Sequence, residues 1–395
     1  MIKSAKLSFT GDIMCPGELL AACATGDGYD FAPPFAFAGP LFADSDYVVG
    51  NLETPIAGEA FGYTSERYCF NNPSELATAV REAGFDLVST ANNHCMDRGT
   101  AGLFATLDAL DRAGLAHVGT SRTPEERDRG FLREIRGIRV GFLAFTYGTN
   151  AFAHHRFLPT EQSFAVNLFQ PEEGKPGSIH LLDPMERIAE QVEELYREGN
   201  PLCEETIRPY LAQFRSDARK LRLQGADFVI LLMHSGGQYN PEPDPYTRKL
   251  TELITAAGDV DLIIGHHPHI LHPCASVNGC PVVFSLGNFL TSPQSLPPET
   301  ADYARYSAVI HLYLEKEART TSLRRMTFSL AVSETGADGK TAAHPLGERI
   351  ANTADAETRA ALLRDNRQMV HLLRGDDPER EVPPAPEYDL PLSRA

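Results

Sequence analysis

The chain has 395 residues, of which 42% are hydrophobic, and a formal net charge of -17. This length fits one large α/β domain or two ordinary ones, and the apolar content excludes a fibrous or disordered chain. The acidic balance argues against nucleic acid or an anionic membrane as a partner, so an anionic substrate, small or polymeric, must be captured locally.

The amino-terminal residues lead straight into a strand-like run and lack the apolar core of a signal peptide. No stretch approaches the roughly 20 apolar residues of a membrane-spanning helix. We therefore expect a cytoplasmic protein without a transmembrane segment, and the sequence gives no indication of its oligomeric state.

The seven cysteines include no C-x-x-C pair, which favours reduced thiols, with a Cys274–Cys280 bridge as a minor alternative.

Short apolar runs with strand character recur along the first three quarters of the chain. They cover residues 5–9, 47–49, 87–89, 140–145, 228–233, 262–264 and 282–284. Most are apolar at every position, which is typical of strands covered on both faces. Helical stretches separate several of them, and a glycine ends three of these helices just before the next strand, namely Gly84, Gly225 and Gly258.

Two segments have the pattern of hairpins, over residues 131–145 and 274–284. Antiparallel pieces therefore join repeated αβ units, which predicts an α/β protein with a mixed sheet or two packed sheets. The loop-rich segment 148–200 is interpreted either as a wall or lid of a substrate site or as an ordinary insertion. We predict one domain over residues 1–335 and a carboxy-terminal extension, 336–395, with one helix and an extended Pro-rich tail.

Polar side chains follow the predicted strands at the points where they end. These residues are Asp12, Glu53, Asn93, His94, His234 and the cluster His266, His267 and His269. Ligands of open α/β sheets bind beyond the carboxyl ends of the strands. Each residue alone has an ordinary explanation, such as a helix cap or a turn, but together they favour a metal centre.

The combination of carboxylate, amide and imidazole groups suits Mn, Fe or Zn, with Mg and Ca also open. A carboxylate that bridges two divalent ions about 3.5 to 4 Å apart would help to activate a water and clamp an anionic group. The predicted reaction is hydrolysis.

The motifs, in their order along the chain, resemble a known family. They are G-D-I-M from Gly11, G-N-L-E-T-P from Gly50, A-N-N-H-x-x-D-x-G from Ala91, T-Y-G-T-N from Thr146, H-S-G-G-Q-Y from His234, G-H-H-P-H from Gly265 and S-L-G-N-F from Ser285. From about Leu7 to Leu290 the chain resembles the CapA family, the poly-γ-glutamate capsule biosynthesis proteins, with a calcineurin-like metallophosphoesterase fold. The resemblance implies a four-layer α-β-β-α sandwich with a two-metal site at one edge of its sheets.

The resemblance also implies roles for individual residues. Asp12 and His269 would bind the first metal, Glu53 would bridge both ions, and Asn93, His234 and His267 would bind the second. His94 would be the general acid or a donor to the transition state, oriented by Asp97. Asn288 and Ser285 would bind substrate or form an ordinary hairpin exit, while His266 and His272 stay outside the ligand set.

The chain departs from these families at three positions. Met14 stands where metallophosphoesterases usually have a histidine, and Glu53 where they usually have an aspartate. Because a thioether is a poor ligand for hard ions, we expect the first metal to bind weakly. Ser235 replaces the tryptophan usual in the CapA family, and the membrane anchor of many members is not seen, which weakens a role in capsule export.

The leading expectation is a metal-dependent hydrolase of the metallophosphoesterase class that acts on a phosphoester or a γ-glutamyl substrate through a metal-activated water. The alternative is a non-catalytic capsule component that binds the polyanion, although the charge of -17 counts against it. A structural protein with a vestigial site is the third and weakest hypothesis.

Overall fold

The computed structural model of the protein describes residues 2–391. Its strands are β1 Lys3–Ile13, β2 Tyr47–Leu52, β3 Leu87–Ser89, β4 Ala116–Val118, β5 Phe131–Ile135, β6 Ile138–Thr146, β7 Phe228–His234, β8 Leu262–His266, β9 Cys274–Val277, β10 Cys280–Val283, β11 Asn288–Leu290, β12 Tyr306–Glu317, β13 Thr320–Thr335, β14 Thr341–Pro345 and β15 Tyr388–Leu390. Its α-helices are α1 Gly17–Ala22, α2 Ala32–Phe35, α3 Glu75–Glu82, α4 Gly99–Ala113, α5 Pro124–Arg129, α6 Ala151–His154, α7 Met185–Leu195, α8 Arg208–Leu223, α9 Pro245–Thr255, α10 Ala301–Ala304, α11 Leu346–Asn352 and α12 Ala356–Arg374.

The strands of the described residues form two mixed sheets. The nine-stranded sheet has the order β14-β13-β12-β1-β2-β3-β4, with β11 paired to β1 and β15 paired to β13. The six-stranded sheet has the order β5-β6-β7-β8-β10-β9. Both hairpins predicted from the sequence are present as antiparallel pairs, β5 with β6 and β9 with β10. The prediction of an α/β protein with packed sheets is confirmed.

Apolar residues alternate between two cores along each central strand. On β7, Ile230 and Leu232 enter a core that both sheets share, while Val229 and Leu231 face a second core with α8 and α9. Because successive side chains of a strand point to opposite faces, a strand that is apolar at every position must be covered on both sides. This is why the continuous apolar runs of the sequence were reliable strand signals.

Helices cover the outer face of each sheet. Leu107 and Leu110 of α4 pack with Val88 of β3 against the nine-stranded sheet. Phe214 and Leu221 of α8 pack against the six-stranded sheet. The succession of helices, sheet, sheet and helices is consistent with the expected four-layer sandwich.

The segment beyond residue 335 differs from its expected form. It contains two helices, α11 and α12, where one was predicted, and both contribute side chains to the core between the sheets. Residues 388–390 of the Pro-rich stretch form β15 and pair with β13, so this part is not an extended tail. Leu392, the last residue of that stretch, lies outside the described residues. The boundary at residue 335 stays a prediction.

Two glycines allow the strand ends to approach each other closely. A Cβ atom on Gly11 would lie 2.0 Å from the Gly287 carbonyl oxygen, and one on Gly265 would lie 2.0 Å from that of Phe284. Neither position can accept a larger residue without moving backbone. These contacts bring the exits of β1 and β8 to the same edge of the sandwich.

Candidate metal centre

The predicted ligands come together where strands of both sheets end. Asp12 lies in β1 between Asn51 of β2 and Asn288 of β11, and Glu53 follows β2 directly. His234 ends β7, while His267 and His269 follow β8. The backbone N–H of His267 donates to Asp12 Oδ2 at 3.2 Å, which joins the two sheets at this edge.

The ligand atoms converge on Glu53. Its Oε1 lies 3.5 Å from His234 Nε2, 3.8 Å from His267 Nδ1 and 3.7 Å from His269 Nε2. Two groups of ligand atoms, each within 4.8 Å of one another, share this residue: Glu53 with His267 and His269, and Asp12 with Glu53 and His234. A shared carboxylate is the arrangement expected of a bridging ligand, whereas the pairing of the other ligands with each ion stays a prediction.

The seven predicted ligands and acid groups are almost fully buried. Asp12, Glu53 and His267 are 0% exposed, and none of Asn93, His94, His234 and His269 exceeds 2%. Glu53 Oε1 and both ring nitrogens of His267 nevertheless have no hydrogen-bond partner among the described residues. Because an unpartnered buried polar atom costs free energy, such atoms need another ligand. Carboxylate and imidazole atoms of this kind fit a divalent cation.

Backbone strain accompanies these orphaned atoms. His267 and His269 have φ angles of 97° and 62°, which are uncommon for residues other than glycine. A non-glycine residue holds such angles only where the surrounding structure fixes them, and strain of this kind clusters at functional sites. The G-H-H-P-H motif is therefore held in a shape that local preference alone does not favour.

Burial sets the protonation of the centre. It raises the pKa of Glu53 well above its usual value, and the neighbouring Asp12 carboxylate adds to the rise. Burial opposes ionisation of Asp12 too, but contacts with His269 and the nearby His266 lower its pKa to about 2. Burial and neighbouring imidazoles hold the pKa of His234 and His267 well below the usual value. Neutral imidazoles beside a carboxylate are in the form that binds metal.

Asn93 belongs to the centre through a hydrogen-bonding contact between its Oδ1 and His234 Nε2, at 2.9 Å. His94 turns to Asp97, with 2.8 Å between His94 Nδ1 and Asp97 Oδ2. The same carboxylate oxygen accepts the Phe70 N–H at 2.6 Å, and the Phe70 ring lies 4.4 Å from the His94 ring. Asp97 and Phe70 thus fix the orientation of the His94 ring.

The two candidate substrate residues, Asn288 and Ser285, make different contacts. Asn288 Oδ1 lies 3.0 Å from His269 Nδ1, and its amide donates to the Ala304 carbonyl at 2.9 Å, so Asn288 fixes the orientation of the His269 ring. Ser285 Oγ accepts the Gly287 N–H at 3.3 Å and stabilises the turn before β11. The structure brings Asn288 to the centre and leaves the Ser285 side chain in the turn.

The remaining residues discussed in the sequence make contacts outside the predicted ligand set. His266 Nε2 contacts the Thr10 carbonyl oxygen at 3.1 Å, and His272 Nε2 contacts that of Asn240 at 2.8 Å. Ser235 Oγ lies 2.9 Å from Thr247 Oγ1 of α9. Met14 follows β1 and lines a cavity beside the centre.

Three residues near the centre were missed. Asn51 donates to Asp12 Oδ1 at 2.8 Å and lies 3.3 Å from His234 Nδ1. Asn150 Oδ1 accepts from the Asn93 amide at 3.2 Å, and the Tyr147 ring lies 4.8 Å from the His267 ring. All three stand in motifs recognised in the sequence, G-N-L-E-T-P and T-Y-G-T-N. Asn150 lies in segment 148–200, so its contact with Asn93 supports the interpretation of this segment as a wall of the site.

A third group of ligand-type atoms lies nearby, formed by Cys69, Asp97 and His154. Arg98 Nη1 lies 2.7 Å from Cys69 Sγ, and Arg156 Nη1 lies 3.5 Å from it. Two guanidinium groups at the sulfur repel a further cation. We therefore interpret this group as a set of contacts that holds Asp97 in place beside His94.

All seven cysteines are unpaired, so the Cys274–Cys280 bridge is not formed.

Residues 6–293 match the family described as Bacterial capsule synthesis protein PGA_cap. The chain belongs to this family. It is 26% identical over 285 residues to the PGA biosynthesis protein CapA of Bacillus subtilis (strain 168), covering 72% of this chain and 62% of that protein. It is 28% identical over 293 residues to the Capsule biosynthesis protein CapA of Bacillus anthracis, covering 73% and 60%. The family membership predicted from the motifs is confirmed.

The chain thus spans less than two thirds of the length of these two relatives, 62% and 60%. A crystal structure of a calcineurin-like phosphoesterase from Bacillus subtilis aligns with 94% of the chain and 99% of its own, at 15% identity and a TM-score of 0.46. Within the described residues, no helix has the length and apolar composition needed to cross a membrane.

Proposed function

We propose that this PGA_cap family protein is a metal-dependent hydrolase that acts on a phosphoester or on a γ-glutamyl amide. The observation that carries the proposal is the pair of ligand groups that share Glu53, with Glu53 Oε1 and both His267 nitrogens unpartnered in a buried site. The proposal includes two divalent metal ions, with Mn, Fe or Zn preferred to Mg or Ca. It also includes a cytoplasmic location.

The residues that would hold the ions are Asp12, Glu53, Asn93, His234, His267 and His269. Divalent ions bound there would supply Lewis acidity and lower the pKa of a water, which makes hydroxide available near neutral pH. Asn51 and Asn288 hold Asp12 and His269 in place, since each donates to or accepts from a ligand atom. Such outer contacts tune ligand orientation and affinity.

His94 moves the proton. Its Nδ1 faces Asp97 Oδ2 at 2.8 Å, so Nε2 is the nitrogen left for substrate. Water adds its hydroxyl to the phosphorus or the carbonyl carbon, the bond to the leaving oxygen or nitrogen breaks, and His94 Nε2 gives that atom a proton. The proton that the water loses restores the proton of His94 Nε2. Asp97 stabilises the imidazolium that donates, and the buried surroundings exclude competing water.

The test compares metal-loaded wild type with His94→Gln on phosphomonoesters, phosphodiesters and γ-glutamyl peptides. We expect hydrolysis of one class, reduced about 10²- to 10⁴-fold in His94→Gln, with metal content unchanged by elemental analysis. His344→Gln, at a partly buried histidine of β14, is the control and should keep full activity. No hydrolysis of any substrate, or an unaffected His94→Gln, would refute the proposal.

The second candidate function is a non-catalytic component of capsule synthesis that binds the polyanion at the metal centre. The names of both CapA relatives favour it, since both contain the word biosynthesis. It predicts that poly-γ-glutamate binds the protein without being shortened. Size analysis of the polymer after incubation with metal-loaded protein separates the two functions.

A further inference from the structure

A cavity of about 650 Å³ lies beside the metal centre, and we name it the side cavity. Phe70, Tyr239 and Met14 line it. The Phe70 ring lies 4.4 Å from the His94 ring, and the Tyr239 ring lies 5.6 Å from the His269 ring. Two aromatic rings are thus shared between the cavity and the centre, so a ligand in the side cavity adjoins the group that reacts.

Arg67 is the only basic residue that lines the side cavity within the described chain. Its guanidinium lies over the Tyr68 ring at 4.9 Å, and it has no ion pair among residues 2–391. Arginine held on an aromatic face presents a planar fork that matches a carboxylate.

Two acidic residues, Glu18 and Glu66, also line the side cavity. With one cation and two carboxylates, the cavity repels a run of carboxylates. It suits a group that carries one negative and one positive charge together. The remaining polar residues, such as Thr64, Ser65 and Gln294, are neutral and add hydrogen-bonding groups without charge.

Tyr239 joins the side cavity to the metal centre. Its side chain lines the cavity together with Arg67, and its ring lies 5.6 Å from the His269 ring. A substrate whose charged end lies a few bonds from its reacting bond can occupy both.

We propose that the side cavity binds the amino-terminal residue of a γ-glutamyl chain, with its α-carboxylate on Arg67 and its α-ammonium beside Glu18 or Glu66. The γ-amide, three carbon–carbon bonds from the α-carbon, then lies at the metal centre. This inference rests on the proposed hydrolase function and narrows its substrate. Water adds to the γ-carbonyl, the C–N bond breaks, and one glutamate leaves together with a chain that has a new amino terminus.

Binding can be measured apart from catalysis because the chain contains no tryptophan. Tyr68→Trp places a single fluorescent reporter against Arg67, and metal-depleted protein prevents turnover. The probes are γ-glutamylglycine, its N-acetyl derivative, poly-γ-glutamate and inorganic phosphate. We expect saturable binding of γ-glutamylglycine, at least about tenfold weaker binding of the N-acetyl probe, and no tighter binding of the polymer at equal chain concentration.

Arg67→Ala in the reporter protein should weaken γ-glutamylglycine binding at least about tenfold. Arg197→Ala, at an exposed arginine outside the side cavity, is the matched control and should change nothing. Isothermal titration of wild type checks that the reporter does not create the site. Equal binding of both dipeptides, an unaffected Arg67→Ala, or a response to phosphate in place of the dipeptide would overturn the inference. Dipeptide binding with no hydrolysis of any phosphoester or γ-glutamyl substrate by metal-loaded protein would instead refute the proposed hydrolase function and leave the binding site intact. Dipeptide binding with hydrolysis of phosphoesters only would refute the cleavage step inferred for the γ-amide.

Discussion

Two buried histidines of this molecule have opposite surroundings. His311 of β12 is 1% exposed, and its ring nitrogens lie 2.7 Å from Ser8 Oγ and 3.0 Å from Ser329 Oγ. His267 at the candidate metal centre is 0% exposed, and neither ring nitrogen has a partner among the described residues. Burial alone therefore does not distinguish these two histidines, whereas hydrogen-bond satisfaction does.

The difference follows from what each region stabilises. The His311 network links β1, β12 and β13, and Ser329 Oγ donates further to the Pro386 carbonyl at 2.6 Å, which ties the carboxy-terminal segment to the sheet. The His267 region makes no such closed network and adds a φ of 97°. A satisfied network contributes to folding, but an unsatisfied one lowers stability until a ligand arrives.

The largest expected effect is that of His267→Asn, since asparagine tolerates positive φ better than most residues. We expect metal affinity to fall by more than the roughly 10- to 100-fold that a lost outer contact costs. The free energy of unfolding of the metal-free protein should stay unchanged or rise, because no hydrogen bond is lost. Elemental analysis and urea unfolding measure the two quantities. Unchanged metal affinity together with a lower free energy of unfolding of the metal-free protein would contradict this prediction and give His267 a structural role.

His311→Leu should show the opposite pattern. The substitution removes the partner of Ser8 and Ser329, so we expect a loss of about 1–3 kcal/mol in the free energy of unfolding. Metal content should not change, because the network does not touch the centre. The same two measurements apply, and a loss of metal in this variant would show that the regions are coupled.

The sequence was informative wherever one strand carried the signal by itself. Strands such as β3, β7 and β8 are buried on both faces, so their apolar runs showed their position, and the polar residues after them marked the centre. Gly84, Gly225 and Gly258 all have positive φ, as their place after helices predicted. These features depend on local chemistry.

The features that were missed depend on distant partners. Residues 320–325 of β13 are mostly polar and partly or fully exposed. Strands β14 and β15 are defined by their pairing with later residues of β13. Asn51 could be read as part of a motif, but its contact with His234 joins residues 183 positions apart. The hydrogen-bond partners of each histidine nitrogen likewise depend on the assembly of both sheets. The sequence alone therefore does not show which nitrogens lack a partner.

A smaller effect is expected for Asn288→Ala. Its Oδ1 faces His269 Nδ1 at 3.0 Å, so the substitution frees the ring to turn and should lower metal affinity about 10- to 100-fold. Ser285→Ala is the matched control in the same motif, because its Oγ only accepts the Gly287 N–H, and it should keep its metal. Metal titration of both variants decides the matter; equal losses would mean that the turn, and not the contact with His269, orients the ligand.

The smallest effect concerns pH. Burial lowers the pKa of His311 to about 4, with nearby Lys6 adding to the shift, against about 6.5 in an unfolded chain. Between these values the unfolded chain binds a proton that the folded chain does not, so the stability from a neutral His311 is complete above pH 6.5 and is lost as pH falls toward 4. Glu387, whose pKa is lowered to about 2, loses its contribution only below about pH 4.5.

His234 and His267 of the candidate metal centre also have lowered pKa values, so wild type alone cannot separate the two regions. His311→Leu lacks only the contribution of the satisfied network. The difference in unfolding free energy between wild type and this variant, measured in urea without metal, should therefore shrink from pH 7 to pH 4. If the difference stays constant across this range, His311 does not remain neutral in the folded protein, and its network is an ionic one.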